Sequence, residues 1–373
     1  MMVFNGLHVL LVGPVPPPAG GMANQTRQLG ELLRAAGAQV ELLSTNPPYR
    51  PAWVAALKGL RAGFRLVAYV LALWRQVGRV QVVHVMANSA WSWHLFAAPA
   101  VWVSHLRGVP VVVNYRGGEA GPFLARSSAL VRFTMRRSSA LVVPSGFLEH
   151  VFAGHGMASA VVPNIVDTRR FSPLAKGETR DPKQLLVARN LEALYGNDIA
   201  LRALAIVRQR HADVRMLIAG SGPQEAELRA LAAQLGLGDN VRFTGRLDRD
   251  DMARLLQRSA LSVNPTRVDN MPNSVLEAMA SGTPVVSTHV GGVPYMVKHR
   301  ETAWLVPPDD PQALADAVLH LLENPTEADQ LAAAALRQVQ NNTWPVIAPL
   351  WAAVYRRAQQ LGGRAAPAWG SQP

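Results

Sequence analysis

The sequence predicts an α/β protein of two domains, each built on a parallel sheet with helices on both faces. Its 373 residues are many for one α/β domain and comfortable for two. Short apolar runs of strand length alternate with amphipathic segments of helix length, beginning at His8 and beginning again after residue 180. Repeated units of one strand and one helix build parallel sheets that are covered on both sides.

The first domain is predicted over residues 1–165. Its short apolar runs predict buried strands at 8–12, 40–43, 80–85, 109–113 and 141–143. The segments between these strands predict helices at 24–36, 53–77, 91–106 and 124–137. The alternation is typical of a parallel sheet.

The second domain is predicted over residues 184–344 and repeats the same rhythm. Its strands are predicted at 185–187, 214–218, 241–243, 261–263, 285–286 and 304–306. Its helices are predicted at 199–211, 225–235, 250–259, 274–280 and 312–322. Gly236 and Gly282 follow two of these helices, where a left-handed cap is expected.

The remaining segments connect or end the domains. Residues 166–183 are predicted to be the linker between the domains, and residues 345–361 a final helix. The tail 362–373 is rich in Gly, Pro and Ala, a composition typical of a disordered terminus.

The composition excludes several classes of function and location. The chain has no cysteine, which removes disulfides, thiolate nucleophiles and cysteine-bound metals and fits a reducing cytoplasm. The ten histidines show no metal-ligand spacing, so no metal is expected. The longest apolar runs, 66–74 and 95–103, are about half of the ~20 residues that span a bilayer. The N-terminus lacks the basic segment of a signal peptide.

The net charge of +12 is unevenly distributed. Residues 1–165 contain fourteen Lys or Arg and four Asp or Glu, whereas the rest contains twenty-three and twenty-one. Such asymmetry suggests an anionic partner for the first domain. The alternative is a generally arginine-rich composition, which predicts an even spread. A nucleic-acid partner is not expected, because the sequence shows no nucleic-acid-binding module and no basic run interleaved with aromatic residues.

The strongest motif is the eighteen-residue string from Asp269 to Val286. A strand, a loop and a helix start follow one another here, so the motif lies where open α/β sheets bind ligands. Backbone N–H groups at the helix start are free to bind anionic or hydroxyl oxygens. Asp269 and Glu277 can each accept hydrogen bonds from a sugar or ribose. Alternatively, Asp269 caps the helix and Glu277 is solvated.

This string resembles the acidic signature of the group 1 (family 4) retaining glycosyltransferases, E-x7-E followed by A-M-A-x-G-x-P-V-V. The resemblance implies that Glu277 binds the donor ribose and that Asp269 contacts the transferred sugar. The family usually has Glu at the first position, and Asp269 is one methylene shorter. The residues expected to complete this part of the donor site are Asn270, Met271, Pro272, Asn273 and Ser274.

Two more segments of the second domain match the family. The resemblance assigns Arg189 to a clamp on the donor diphosphate, a role that suits a bidentate guanidinium. The family places a lysine six residues later, whereas this chain has Tyr195, a donor without charge. Gly220 lies in a turn, 219–223, that resembles the G-x-G-P turn of the family. The alternative for Gly220 is an ordinary tight turn.

In the first domain the resemblance rests on Gly20 and Gly21, in the loop after the first strand, and on Arg116 after the fourth. The family has a comparable glycine loop that faces the donor phosphates. Many members have His at the position of Arg116. Arginine cannot serve as a general base, but it can stabilise charge on the leaving phosphate. The alternatives are an ordinary Pro/Gly loop and a structural arginine.

The resemblance implies the GT-B fold, in which two Rossmann-like domains face each other across a cleft and the final helix crosses back to the first. The implied reaction moves a hexosyl unit from a nucleotide sugar to a glycan, lipid-linked or small-molecule acceptor with retention, without metal or cofactor, in the biosynthesis of cell-surface polysaccharide or glycolipid. The alternative is a nucleotide-sugar epimerase of the same fold. A D-x-D sequence at Asp248 opens a predicted helix and is interpreted as an N-cap, not a metal site.

A stripe of apolar residues in the predicted helix 53–77 suggests a membrane surface as a partner. Cationic faces beside apolar, Trp-bearing stripes are typical of helices that bind anionic bilayers. Peripheral attachment at the inner leaflet would bring the protein to a lipid-linked acceptor. The alternative is that the stripe faces the domain core. Its residues are Trp53, Leu57, Leu60, Phe64, Val67, Leu71 and Trp74, beside Lys58, Arg61 and Arg65.

Overall fold

The chain folds into two compact α/β units. In this computed structural model, residues 3–17, 20–47 and 60–362 are described. Unit 1 takes the chain up to Asn164 and again from Pro345, and unit 2 comprises Ile165–Trp344. The last helix thus belongs to unit 1, and the segment predicted as a linker belongs to unit 2. The tail from residue 363 and the helix residues Trp53 and Leu57 lie outside the described residues.

Unit 1 contains a six-stranded parallel sheet in the order β2-β1-β3-β4-β5-β6. The register is regular, with β1 hydrogen-bonded to both β2 and β3. The five predicted strands are present within two residues of their expected bounds, and β6 is an additional strand of two residues. The strands are β1 His8–Gly13, β2 Gln39–Ser44, β3 Val82–Ala87, β4 Val111–Tyr115, β5 Ala140–Val143 and β6 Ala160–Val161.

The helices of unit 1 connect these parallel strands. The predicted helix 91–106 consists of α3, a π-helical turn at Trp93–Ala97 and α4. The helix α6 was not predicted, and Ser145 caps it by accepting a hydrogen bond from the backbone N–H of Leu148. The helices are α1 Gly21–Ala35, α2 Leu60–Val77, α3 Ala90–Ser92, α4 Ala98–Leu106, α5 Ala120–Met135 and α6 Gly146–Gly154.

Unit 2 contains a second six-stranded parallel sheet in the order β12-β11-β10-β7-β8-β9. All six predicted strands are present, and β7 starts inside the predicted linker. Two parallel α/β units confirm the predicted fold class. The strands are β7 Asp181–Val187, β8 Arg215–Ala219, β9 Val241–Gly245, β10 Ser259–Asn264, β11 Val285–Thr288 and β12 Trp304–Val306.

The helices of unit 2 follow the predicted segments, with α11 and α13 in addition. Gly236 and Gly282 have φ angles of 67° and 66°, as expected for left-handed caps. Asp248 caps α9 by accepting from the N–H groups of Asp250 and Asp251, as the sequence predicted. The helices are α7 Asn197–Arg210, α8 Glu225–Gln234, α9 Arg249–Arg258, α10 Asn273–Ala280, α11 Val293–Met296, α12 Pro311–Glu323 and α13 Pro325–Gln338, and the chain continues with α14 Trp344–Leu361.

Each unit has its own apolar core. In unit 1 the core lies between the sheet and its helices and includes Leu73, Trp93 and Phe152. Across the described ranges, no helix is both long enough and apolar enough to cross a membrane. The same ranges contain no group of His, Asp or Glu side chains arranged to hold a metal ion.

Candidate functional site

The predicted donor residues of unit 2 meet at one edge of its sheet. The strand β7 is hydrogen-bonded to β8 on one side and to β10 on the other. Arg189 follows β7, Gly220 follows β8, and the loop from Pro265 to α10 follows β10. Since the carboxyl ends of parallel strands share one edge, these three loops are neighbours.

Two glycines allow the loops at this edge to pack backbone against backbone. A Cβ atom on Gly220 would lie 1.9 Å from the carbonyl oxygen of Arg189. A Cβ atom on Gly292 would lie 1.8 Å from the carbonyl oxygen of Asn270. No side chain fits at such distances, so these glycines fix where Arg189 and the acidic loop stand.

Arg189 and Asp269 form an ion pair at the centre of the site. The distance from Nη2 to Oδ2 is 2.5 Å, and the two side chains are 9% and 14% exposed. Nη1 of Arg189 donates to Oγ of Ser274 over 3.3 Å. The guanidinium also lies over the ring of Tyr195, with Cζ 4.0 Å from the ring centroid. The guanidinium is thus held on one edge by a carboxylate and on one face by an aromatic ring.

Asp269 does not cap the helix that follows it. The N-cap of α10 is Pro272, which makes no side-chain cap. Instead, Oδ1 of Asp269 accepts from the backbone N–H of Asn270 over 2.9 Å. Burial raises the pKa of Asp269, and the charge of Arg189 and the hydrogen bond from Asn270 oppose this effect. The helix start therefore keeps its N-terminal dipole without a side-chain cap.

Glu277 lies on α10 and is partly buried, which contradicts the alternative of a simply solvated side chain. Burial raises its pKa to about 7, and the charge of Arg249 on α9 opposes part of that rise. Among the residues that the structure describes, none donates a hydrogen bond to its carboxylate. A half-buried carboxylate that is poised between its two protonation states can accept hydroxyl donors from a ligand.

The residues between the two acids face largely inward. Asn270 is buried, and so is Pro272. Met271 packs against an apolar cluster of unit 2. Their contact with a ligand would therefore be made mainly through the backbone, whereas Asn273 and Ser274 at the start of α10 are partly exposed.

Unit 1 presents its own predicted residues at the carboxyl edge of its sheet. Gly20 is the N-cap residue of α1 in an extended conformation, without a side-chain cap, and Gly21 begins the helix. Neither has described atoms within 4 Å of an added Cβ, so packing does not require glycine at these two positions.

Arg116 of unit 1 is held by neutral amide groups. Its Nε donates to Oδ1 of Asn114 over 3.2 Å, and its Nη1 contacts Oε1 of Gln25 and Oδ1 of Asn164. Burial lowers the pKa of Arg116 to about 9, so the guanidinium is charged at neutral pH. None of these three partners balances the charge, and this favours an anionic ligand at Arg116.

The comparisons with known proteins cover nearly the whole chain. A family model described as Glycosyl transferases group 1 matches residues 169–338. A second model, described as Glycosyltransferase Family 4, matches residues 19–170. The chain belongs to the group 1, family 4 glycosyltransferases. The family resemblance of the acidic string and the α/β fold of both units are thereby confirmed.

Curated relatives of this glycosyltransferase differ in the share of the chain that they match. The glycogen synthase of Mycobacterium tuberculosis is 28% identical over 395 aligned residues, which cover 95% of both chains. The D-inositol 3-phosphate glycosyltransferase of Streptomyces coelicolor is 29% identical over 266 residues, which cover 64% of this chain and 57% of that protein.

Solved structures share the GT-B fold. The sucrose-phosphate synthase of Thermosynechococcus elongatus has a TM-score of 0.77 at 23% identity, covering 94% of this chain and 98% of that chain. HepE of Anabaena, solved with UDP and glucose, has a TM-score of 0.72 at 17% identity, covering 94% and 99%.

One residue that supports the candidate site could not be found from the sequence. Arg267 binds both carboxylate oxygens of Asp198, at 2.9 and 2.8 Å. Its backbone N–H donates to the carbonyl of Leu194 over 2.8 Å. These contacts hold the 3-10 turn Ala193–Tyr195 in place and so bring Tyr195 against Arg189. The role depends on contacts that span about seventy residues of sequence, and no local motif marks it.

Proposed function

We propose that the protein transfers a glycosyl unit from a nucleoside diphosphate sugar to an acceptor, with retention of configuration and without a metal ion. The observation that carries the proposal is the largely buried Arg189–Asp269 ion pair at the sheet edge where α10, the helix that carries the half-buried Glu277, begins. This sheet edge offers a cation for a diphosphate and carboxylates for hydroxyl groups.

The proposed roles follow from the chemistry of each group. Glu277 accepts hydrogen bonds from the ribose hydroxyls of the donor. Arg189 and the amides at the start of α10 bind the diphosphate, and Asp269 accepts from hydroxyls of the transferred sugar. In unit 1, Arg116 supplies a further positive charge for phosphate oxygens. Tyr195 and Gly220 are proposed to support Arg189. The ring of Tyr195 packs against its guanidinium, and Gly220 allows close packing against its backbone carbonyl.

The proposed reaction needs no protein nucleophile. The bond from the anomeric carbon to the diphosphate oxygen breaks, and the diphosphate leaves with the electron pair. An acceptor hydroxyl forms the new bond on the same face and passes its proton to the departing phosphate oxygen. Bound cations and helix amides stabilise the negative charge that develops on the leaving group.

The donor is proposed to be uridine diphosphate glucose or another nucleoside diphosphate glucose. The support is that HepE was solved with UDP and glucose and that a glycogen synthase matches nearly the whole chain. The test is thermal unfolding against a panel of nucleoside diphosphate sugars, because a ligand that binds the native state raises Tm. We expect the nucleotide sugars of one base to raise the Tm of the wild type. The rise in Tm should be smaller in Glu277→Gln, whereas the surface control Glu227→Gln should show the same rise as the wild type. No shift with the whole panel would contradict the proposal.

We further propose that unit 1 attaches to an anionic membrane surface at the inner leaflet, where a lipid-linked acceptor in cell-surface polysaccharide or glycolipid synthesis would lie. The described part of the predicted apolar stripe is exposed to solvent. The opposite face of α2 packs into the core through Tyr69, Leu73 and Val77. The exposed fractions are 53% for Phe64, 61% for Val67, 51% for Leu71 and 46% for Trp74.

Neighbouring helices extend this apolar face and add arginines to it. The helix α4 packs against both α2 and α5. The guanidinium of Arg107 lies 5.1 Å from the ring centroid of Trp74, and that of Arg137 lies 4.0 Å from Trp102. Further exposed apolar residues on α4 and α5 are Leu106, Leu130 and Phe133.

The charge of this face selects an anionic lipid as its partner. Exposed apolar patches of this kind mark interaction sites, and arginine beside tryptophan suits the interface between lipid headgroups and acyl chains. Residues 1–165 contain fourteen basic and four acidic residues, which favours binding to a negative surface. Each basic residue near such a surface contributes about 1 kcal/mol of binding free energy.

Co-sedimentation with vesicles tests the membrane proposal. We expect binding to vesicles with anionic lipid at low salt, weaker binding at high salt, and little binding to neutral vesicles. Replacing Val67 and Leu71 by Ser should weaken binding, whereas the matched change Tyr295→Ser on unit 2 should not. A protein that ignores anionic vesicles at low salt, or a soluble protein partner that displaces it from them, would contradict this proposal.

A further inference from the structure

A chain of hydrogen bonds runs through the interior of unit 1 from α14 to Arg116. Oη of Tyr355 on α14 lies 2.7 Å from Nδ1 of His84 on β3. Nε2 of the same imidazole lies 3.1 Å from Nδ2 of Asn114 on β4. Oδ1 of Asn114 accepts from Nε of Arg116 over 3.2 Å. The side chains of His84, Asn114 and Tyr355 are completely or almost completely buried.

The direction of every hydrogen bond in this chain follows from Arg116. A guanidinium can only donate, so the carbonyl oxygen of Asn114 must face it. The amide nitrogen of Asn114 then faces His84 and donates to Nε2, which must carry no proton. The imidazole proton therefore sits on Nδ1 and is donated to Oη of Tyr355. The opposite tautomer would place two donors against each other.

The surroundings keep His84 neutral. Burial and the charge of Arg116 lower the pKa of His84 to about 3. The ring of Trp351 on α14 lies 4.8 Å from the imidazole, so α14 covers it with apolar surface. A charged His84 would donate from both nitrogens and would force Asn114 to turn its amide group toward Arg116, which is a donor itself.

The other end of the chain is the guanidinium of Arg116. Its Nε donates to Asn114, and its Nη1 donates to Gln25 and Asn164. Within the described residues, no hydrogen bond engages Nη2. Because three fixed amides hold the plane of the guanidinium, its remaining edge has a defined direction and carries an unbalanced charge.

We propose that His84 and Tyr355 are positioning residues, which act through Asn114 to fix Arg116 for an anionic phosphate oxygen of the substrate. The inference rests on the proposed phosphate-binding role of Arg116. It explains why a polar histidine and tyrosine lie among apolar core residues, and it gives α14 a function in unit 1 beyond packing. The residue that touches substrate is Arg116, whereas the other three maintain its orientation.

The first test needs no substrate and uses nitrogen NMR of the full-length protein. In protein labelled at histidine, we expect His84 to show an unprotonated Nε2 and a protonated Nδ1, assigned by the signal that disappears in His84→Gln. In protein labelled at arginine, the Nε–H of Arg116 should be protected from exchange. This protection should persist in His84→Gln, which keeps an acceptor for Asn114, and be lost in His84→Leu. A proton on Nε2 in the wild type would overturn the inference.

The second test separates positioning from stability. In His84→Leu and Tyr355→Phe we expect kcat to fall roughly ten- to a hundredfold, with a smaller change in KM for the donor, because misplacement of a charged group by about 1 Å has effects of that order. His84→Gln should restore kcat to within a few-fold. If His84→Leu does not fold, Tyr355→Phe keeps the volume and carries the test. A folded Leu or Phe variant with unchanged kcat would overturn the inference.

The two tests also distinguish this inference from the proposed function. Loss of Arg116 protection in His84→Leu, in a protein without transferase activity, would contradict the proposed function and support the positioning of Arg116. Full activity with the opposite His84 tautomer would support the function and overturn the positioning.

Discussion

At the scale of single residues, burial changes the acid–base chemistry of Glu277. Its folded-state pKa of about 7 lies above the value of ~4.3 for an unfolded chain. The protonated form is therefore favoured in the folded protein. The raised pKa means that protonated Glu277 contributes to the stability of the folded protein. This contribution is fully present below the unfolded pKa and is lost as the pH rises through about 7.

Replacing Glu277 by Gln should therefore raise Tm at pH 8 and leave it nearly unchanged at pH 4. Ligand affinity should instead increase with pH, because the ionised carboxylate is the better acceptor for ribose hydroxyls. Nucleoside diphosphate affinity of the wild type should fall as the pH drops below 7. In Glu277→Gln it should be about one to two orders of magnitude weaker at pH 8, without this pH step.

Calorimetric titration at several pH values measures both effects. The variant reports any titration of the ligand itself, so the difference between the two proteins isolates Glu277. Equal affinity of both folded proteins at pH 8 would remove Glu277 from the donor site.

Tyr195 is the second residue with a specific prediction. Its ring supports the guanidinium of Arg189 at 4.0 Å, where the family places a lysine. Tyr195→Lys should lower Tm, because two cations then lie together in the free protein, and should tighten binding of a nucleoside diphosphate roughly tenfold through an added phosphate contact. Tyr195→Phe keeps the ring and should change little. Weaker binding by a folded Lys variant than by the Phe variant would count against a position facing the phosphates.

At the scale of elements, the site depends on loops that touch through backbone atoms. Besides Gly220 and Gly292, Gly196 approaches the chain closely, since a Cβ there would lie 2.0 Å from the carbonyl oxygen of Pro265. These approaches join the loops after β7, β8, β10 and β11. The position of Arg189 therefore depends on residues that carry no functional group.

Gly220→Ala tests this dependence. The added methyl group meets the carbonyl of Arg189 and must displace it, which should cost about 1–3 kcal/mol of unfolding free energy and weaken nucleotide binding. Gly238→Ala is the matched control, because nothing described lies within 4 Å of its Cβ position. Chemical denaturation and calorimetry measure the two effects. If Gly220→Ala matched the control in both, the close approach would not position Arg189.

The elements that the sequence predicted are those with a clear period or an apolar run. All eleven predicted strands are present. Most carry a buried apolar run, as β1, β3 and β4 do, whereas β2, which was predicted to be buried, and β9 contain no buried residue. The strand β6 has only two residues, and α11 only four, so neither is long enough to show a period. The helix α13 escaped prediction because it follows α12 after only one residue, so that no loop separates the two apolar patterns.

The sequence predicted which residues belong to the candidate site, but not which of their side chains contact each other. The motif located both acids, yet the ion pair joins residues eighty positions apart in sequence. That pair depends on β7 lying beside β10, and strand order is not encoded in a local pattern. The same reason applies to Arg116, whose amide partners Gln25 and Asn164 come from distant segments.

At the scale of the whole molecule, the two units differ in charge and in the chemistry they offer. Unit 2 carries paired opposite charges at the edge of its sheet. Unit 1 carries Arg116 and the apolar, arginine-lined face of α2, α4 and α5. We propose that unit 2 holds the nucleotide and that unit 1 brings the protein to its acceptor.

The configuration of the released sugar tests whether the protein transfers a glycosyl unit with retention. Proton NMR can follow hydrolysis of the nucleoside diphosphate glucose that gives the largest thermal shift, with water as acceptor, before the anomers equilibrate. For an α-linked donor, we expect the α-anomer of free glucose to appear first. First appearance of the β-anomer, or conversion of the donor into an epimeric nucleotide sugar without release of sugar, would contradict it.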